Sequence, residues 1–452
     1  MENSKELRQS RMLTMPIPQL VLNTALPIIF SSLINAAYSL VDTYFVSSLG
    51  TNATAAVSVN TALDQLIVMV GSMLAVGANS YIARLLGEKK RDQASTVLST
   101  AFFLALGFGL VFLVAGTAFM KPLVWSLGAT ETCEQYAVEY ATYILLAAPL
   151  MAANFVTNQC LRAEGSAVRA MVGMGFGAVL NCVLDPVFIF AMGLGVAGAS
   201  MATAISKAVS FGILLFPYVS GCSFLRIRLR SVGLSASVLK EVFVIGSSSL
   251  LRNGFAVVSS VVLNHIAGGI SDSILAGIGV ASKVMMIPTT IFLGFGAGFQ
   301  PVVGFQWGAE RYERVRESYS FAAQLAVGSG AVMGLLLAIF AEPVIGWFSE
   351  TDPEMLQIGA LCIRLQCLAM PLHAWVAVVN MFCAGIGYGR GAVLLAAARQ
   401  GTCLLPAIWP LAYFFGGCGV AAVQAVADLL SLTQAIPVLR TVRKKIAAAE
   451  NQ

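Results

Sequence analysis

Twelve apolar runs, each long enough to cross a bilayer as a helix, dominate this sequence and leave little else for it to become. A hydrocarbon core of ~30 Å needs ~20 apolar residues per helix. Runs of that length fall at 19–47, 54–82, 95–120, 136–158, 169–191 and 196–219, then at 241–267, 274–304, 318–341, 356–382, 392–416 and 418–439. Backbone groups in lipid must be satisfied within each segment, so spans of this kind are helices. Charge supports the class. Of 452 residues only 11% are charged, against about 25% in soluble domains, too few to cover a water-facing surface of this size. The expected fold class is therefore an all-α integral membrane protein. The segment before Leu20 is polar and basic at its start, and predicts no cleavable signal peptide.

Charge asymmetry tests the count of twelve. With the N-terminus inside, the tails, the even-numbered loops and the helix ends beside them hold Lys5, Arg8 and Arg11; Arg84, Lys89, Lys90 and Arg91; Arg162 and Arg169; Arg226, Arg228, Arg230 and Lys240; Arg311, Arg314 and Arg316; Arg390 and Arg399; and Arg440, Arg443, Lys444 and Lys445. The opposite side holds Lys121 and the acids Glu131, Glu134, Asp272, Glu342, Glu350, Asp352 and Glu354. One helix more or fewer would scramble this pattern, so the positive-inside rule predicts twelve spans with both termini cytoplasmic. These short basic loops are juxtamembrane, not a nucleic-acid surface. The nine cysteines include no CxxC pair and read as small buried hydrophobes; His265 and His373 stand apart, against a histidine-based zinc site.

The chain also repeats itself. Residues 53–59 (ATAAVSV) align without a gap on 274–280 (ILAGIGV), an offset of 221 at which Gly77 meets Gly298 and Gly87 meets Gly308. Gly193, Gly195 and Val196 correspond to Gly417, Gly419 and Val420 at an offset of 224. Two six-helix bundles in one orientation are expected, 1–220 and 241–452, joined by a cytoplasmic linker at 221–240 and related by a pseudo-twofold axis along the membrane normal. Transporters rock such halves about a central site.

Ionisable groups inside membrane spans are costly and mark functional sites by default. They are Asp42, Asp64, Asp185, Lys207, Arg252, Lys283, Arg364 and Asp428. Counting from Arg169 at 1.5 Å per residue, Asn181 stands about 18 Å and Asp185 about 24 Å above the inner interface. Thr203 lies about 10 Å below the outer surface by the same rise, and Asp42 is near the outer end of the first span. These four share one depth band, and Asn181 and Asp185 share one helix face at i and i+4. Two carboxylates, an amide and a hydroxyl can hold a proton or a small hard cation, since burial favours the neutral carboxyl. The alternative is that both acids only hydrogen-bond backbone, with Asp185-Pro186 marking a kink. Pro27, about four turns below Asp42, is a hinge candidate or a static kink. Lys283 and Asp428 are expected to pair across a C-terminal cavity, Lys207 to snorkel towards the cytoplasmic face, and Arg364 to reach the outer interface; Asp64 has no evident partner.

VDTYFVSSLG (41–50), NCVLDPVFIF (181–190), GLGVAGASMATAIS (193–206) and GFGAGFQPVVGFQWGAERYERV (294–315) together resemble the multidrug and toxic compound extrusion (MATE) family over nearly the whole chain. The resemblance implies two bundles flanking a cleft, and antiport of cationic or amphipathic small molecules against protons or sodium in the inner (plasma) membrane. It implies that Asp42 is the acid of the first span and that Asn181, Asp185 and Thr203 form the cation cluster of the DinF-like branch, where sodium would also sit. Tyr38, Tyr140 and Asn158 fall beside that cluster as cavity lining. The NorM-like branch carries acids in the seventh and tenth spans, where this chain has Arg252, Asn253 and Arg364, which shifts coupling to the N-terminal bundle. No cofactor is expected beyond the coupling ion, and no partner beyond substrate and lipid; the chain is expected to be a monomer. A flippase of lipid-linked sugars would share the architecture with a more cationic cavity, an alternative that Arg252, Lys283 and Arg364 keep open. A major-facilitator carrier fits only GEKKRDQ (87–93). A membrane enzyme would need a nucleophile or metal motif, and none is present.

Overall fold

The structure, a computed structural model, describes residues 10–233, 235–347 and 352–451; Lys5, Arg8 and Glu350 lie outside the described residues. The N-terminal half holds α1 (Ile17–Ser47), α2 (Thr51–Gly87), α3 (Arg91–Ala118), α4 (Glu134–Ala163), α5 (Ala167–Pro186) and α6 (Gly195–Val219). The C-terminal half holds α7 (Ala236–Gly268), α8 (Asp272–Gly308), α9 (Tyr312–Ile339) and α10 (Pro353–Gly385). Its last apolar run, Gly389–Glu450, turns back at Gly416, whose φ of 54° and ψ of −133° suit a residue without Cβ. That turn divides it into α11 (389–415) and α12 (417–450), which brings the described spans to twelve.

Each bundle wraps its most buried span. Helix α4 packs on α2, α3 and α6, and α10 packs on α8, α9 and α12; α1 lies on α5 as α7 lies on α11. The two copies share even their amide contacts. Asn158 Nδ2 donates to the Ala170 carbonyl at 3.0 Å, and Asn380 Nδ2 donates to the Ala392 carbonyl at 2.7 Å. Both residue pairs are offset by 222, so a buried amide ties α4 to α5 and α10 to α11 in the same way. Short helices Met120–Ser126 and Ala341–Gly346 follow α3 and α9 at the equivalent places.

The lobes meet mainly through α1, α2, α7 and α8, with smaller contacts from α4, α9 and α10. Helix α2 packs on α7 and α8, and α1 on α8, at glycines where backbones touch: Gly77 against Val242, Gly298 against Ala25, and Gly308 against Arg84. Arg84 Nη2 bonds Glu241 Oε2 across this seam at 2.7 Å, and Arg314 Nη2 donates to the Met15 carbonyl at 2.6 Å. The uppermost lobe-to-lobe hydrogen bonds join Ser72 to Ser249 at 3.2 Å and to Asn253 at 3.4 Å. Beyond them Val41, Leu66, Val257 and Met286 of these four helices are exposed on the side away from the arginines.

One sequence expectation changes. Helix α7 begins at Ala236, so the linker is shorter than 221–240. That linker is held to the N-terminal lobe, with Ser223 Oγ donating to Glu164 Oε2 at 2.6 Å and Gly233 N to Thr100 Oγ1 at 3.0 Å. Helix α1 runs unbroken through Pro27.

Candidate functional site

The N-terminal bundle gathers its ionisable groups where α1, α2, α4, α5 and α6 converge. One helical turn separates Asn181 from Asp185, so both point from α5 towards α6, where Thr203 is buried beside them. The Asn181 amide lies 3.2 Å from Thr203 Oγ1 and 3.1 Å from both Thr203 N and Asp185 Oδ2. With its nitrogen towards Asp185, the amide donates to the carboxylate and accepts from threonine. That orientation satisfies all three groups.

Asp42 completes the cluster from α1. Its carboxylate interacts electrostatically with Asp185 and with Asp64 of α2. Its Oδ1 is enclosed and has no hydrogen-bond partner among the described residues. A buried acceptor without a donor is expensive, and a proton or a cation would satisfy this oxygen. Tyr38 and Tyr140 stand within electrostatic range of Asp42, Asp64 and Asp185. Lys207 of α6 interacts with Asp64 and holds its Nζ 5.5 Å above the Tyr38 ring.

The spaces here are small. Tyr38, Asn181, Thr203, Ser206 and Lys207 border a cavity of about 10 Å³, and Asp64, Asn154 and Lys207 border one of about 20 Å³. Such volumes admit a single water-sized guest. The described residues include no group of three or more His, Cys, Asp or Glu side chains fit for a metal. What the site offers is carboxylate, amide and hydroxyl oxygens, the donor set of a proton or alkali-cation site.

Several sequence expectations are overturned. Asn158 is not cavity lining, because its amide is spent on the Ala170 carbonyl. Tyr140 is buried in the packed interior rather than on a cavity wall. Asp428 pairs with Arg399, whose Nε lies 2.6 Å from its Oδ1, and not with Lys283, which is exposed. Arg399 accordingly belongs to the interior of the C-terminal lobe and not to a basic loop. Lys207 does not snorkel, since its counter-charge Asp64 lies in the same bundle. Arg364 does end at the surface, 2.9 Å from Glu342. The electrostatic interaction of Asp64 with Lys207 is what the sequence reading lacks. A buried ammonium needs a carboxylate in its own bundle, and Asp64 was the one left without a role.

Comparison with known proteins agrees with this architecture. The chain is 24% identical over 428 residues to the multidrug export protein MepA of Staphylococcus haemolyticus, covering 94% of each chain. It is 23% identical over 434 residues to MepA of Staphylococcus aureus, covering 95% of each. A solved multidrug resistance MATE family transporter of the MOP superfamily, in an outward-facing conformation, superposes with a TM-score of 0.90 at 25% identity over 98% of both chains. The MatE family profile matches twice, at residues 27–187 and 249–409, once in each lobe. A chain that carries this domain in duplicate along most of its length belongs to the MatE family.

Proposed function

We propose that this protein is a secondary active antiporter that exports small organic molecules by alternating access, driven by inward movement of protons or sodium through the N-terminal lobe. The enclosed, unpartnered Oδ1 of Asp42, set between Asp64 and the Asn181–Asp185–Thr203 constellation, carries this reading. A cation arriving there would satisfy an oxygen that nothing in the protein satisfies, and would relieve repulsion among three carboxylates facing one ammonium. The lobes are joined on the arginine-rich side, with Val41, Leu66, Val257 and Met286 exposed on the other. With that side cytoplasmic, this is an outward-facing state with both termini inside the cell. Multidrug export by the MepA relatives favours a broad set of amphipathic substrates, handled by a monomer in the inner (plasma) membrane without a cofactor. Arg252, Asn253 and Arg364 in α7 and α10, where the NorM-like branch carries acids, support a DinF-like assignment.

The reading is tested in proteoliposomes carrying ethidium, with an imposed pH or sodium gradient. Asp42→Asn and Asp185→Asn should each abolish gradient-driven export at unchanged reconstitution, and only one of the two gradients should support wild-type export. Retained export in either variant would overturn the assignment.

A further inference from the structure

The C-terminal lobe carries the opposite charge. Two adjoining cavities of about 240 and 170 Å³ open among α7, α8, α10, α11 and α12, sharing Ala256, Thr289, Arg399 and Gln400. The smaller one has Arg252 and Arg399 in its lining, with apolar walls from Leu293, Val376 and Met381. Among the described residues Asp428 is the one carboxylate buried inside this bundle, and Arg399 Nε takes it at 2.6 Å. Arg252 has no such partner. Its Nη2 donates to Ser249 Oγ at 3.3 Å, and no carboxylate acts on it electrostatically. Two guanidiniums against one carboxylate leave an uncompensated positive charge at membrane depth, which is costly unless a counter-charge arrives. A guanidinium fork matches carboxylate and phosphate oxygens, and an apolar pocket with a few polar groups is the usual form of a small-molecule site.

We propose that this chamber binds the anionic head of an amphipathic organic acid, with Arg252 as the receiving charge and Leu293, Val376 and Met381 around the apolar body. This inference deepens the export reading and rests on it for the direction of transport: the substrates would include organic anions or zwitterions as well as cations. A carboxylate drug and the headgroup of an acidic lipid share this chemistry.

The test uses the full chain in phosphatidylcholine nanodiscs, titrated with 1-naphthaleneacetate, 2-(1-naphthyl)ethanol and 1-naphthaleneethylamine and read by isothermal titration calorimetry. These probes share a ring and differ in head charge. The acetate should bind at least about tenfold tighter than the alcohol, as a charge-assisted contact requires, and the amine weakest. Arg252→Gln should level the series, and Arg252→Lys should keep part of the preference. Replacing part of the phosphatidylcholine with phosphatidylglycerol should weaken acetate binding if a lipid headgroup is the natural occupant, and leave it unchanged if a soluble acid is. Equal binding of the three probes by the wild type, binding of none, or a preference surviving Arg252→Gln would overturn the inference. If Arg252→Gln does not fold, the wild-type series and Arg252→Lys decide. No gradient enters these measurements, so their failure would leave the export reading standing, and failure of the Asp42 test would leave the anion site standing.

Discussion

Substituting Gly298 with alanine should push the protein out of the conformation described above. A Cβ on Gly298 would lie 2.5 Å from Ala25 Cα, 2.9 Å from Ala25 N and 3.0 Å from Ala25 Cβ. Carbon atoms rest at about 3.5 Å or more, so α8 and α1 must part by about 1 Å. The obstruction is backbone, which no rotamer change can relieve. Overpacking of this kind costs about 1–3 kcal/mol, and the contact joins two lobes. The cost therefore falls on the state closed on the arginine-rich side and not on a state open there. The ratio of the two populations should shift about 5- to 150-fold towards the open form. Spin labels at Asp92 and Glu313, exposed residues in the first turns of α3 and α9, would report it by double electron–electron resonance, with Cys182, Cys222 and Cys418 replaced so that the remaining cysteines are buried. Gly77→Ala, facing the Val242 backbone, should act in the same direction. An unchanged distance distribution in a folded Gly298→Ala protein would refute the reasoning, because it would mean that the seam has slack.

The twin amide contacts should respond alike. Asn158→Ala and Asn380→Ala each strand one buried carbonyl, at about 1–3 kcal/mol, and their thermal midpoints in detergent should fall by similar amounts; a drop in one alone would break the structural equivalence. The Arg399–Asp428 pair, with side chains 18% and 3% exposed, should show strong coupling. Asp428→Asn or Arg399→Gln alone should destabilise by about 3–5 kcal/mol, and the double substitution by less than the sum of the two. Additive losses in a double-mutant cycle would show that the pair is not an energetic unit.

The spans were legible because lipid imposes one rule on every residue that faces it, and long apolar runs separated by one-sided arginines admit few foldings. Helix ends were less so. Helix α7 starts at Ala236, ahead of the apolar run at 241, because Ser235 Oγ caps it by accepting from Val238 N. Depth and i, i+4 spacing located Asn181, Asp185 and Thr203, since a helix converts sequence distance directly into height. Pairings within a lobe resisted the same treatment. Depth along a helix says nothing about azimuth, so Asp428 could be matched to Lys283 on height alone while the fold turns Arg399 towards it. The glycines at 77 and 298 were visible as equivalents, but not as the places where one lobe's backbone rests on the other's.

The duplicated lobes keep their scaffold and part in their charges, which bears on whether their sites are interchangeable. At the offset of 217 set by the glycine contacts (Ala25 with Val242), Asp42 corresponds to Ser259 and Arg252 to Asn35. At 221, Asp64 corresponds to Met285; at 222, Arg399 to Gly177; at 224, Lys207 to Ser431 and Asp428 to Ala204. Each charged interior position thus faces an uncharged counterpart in the other copy. If the scaffold alone made a cation site, moving the acid across should restore function, so Ser259→Asp should rescue Asp42→Asn. The surroundings argue otherwise. Ser259 borders the cavity that Arg399 also lines, so a carboxylate placed there would meet a guanidinium already present and be neutralised by it rather than by a proton or sodium ion. The double variant should reconstitute normally yet remain without gradient-driven export. Restored export would show that position within the repeat, and not the local charge balance, decides where the coupling cation binds.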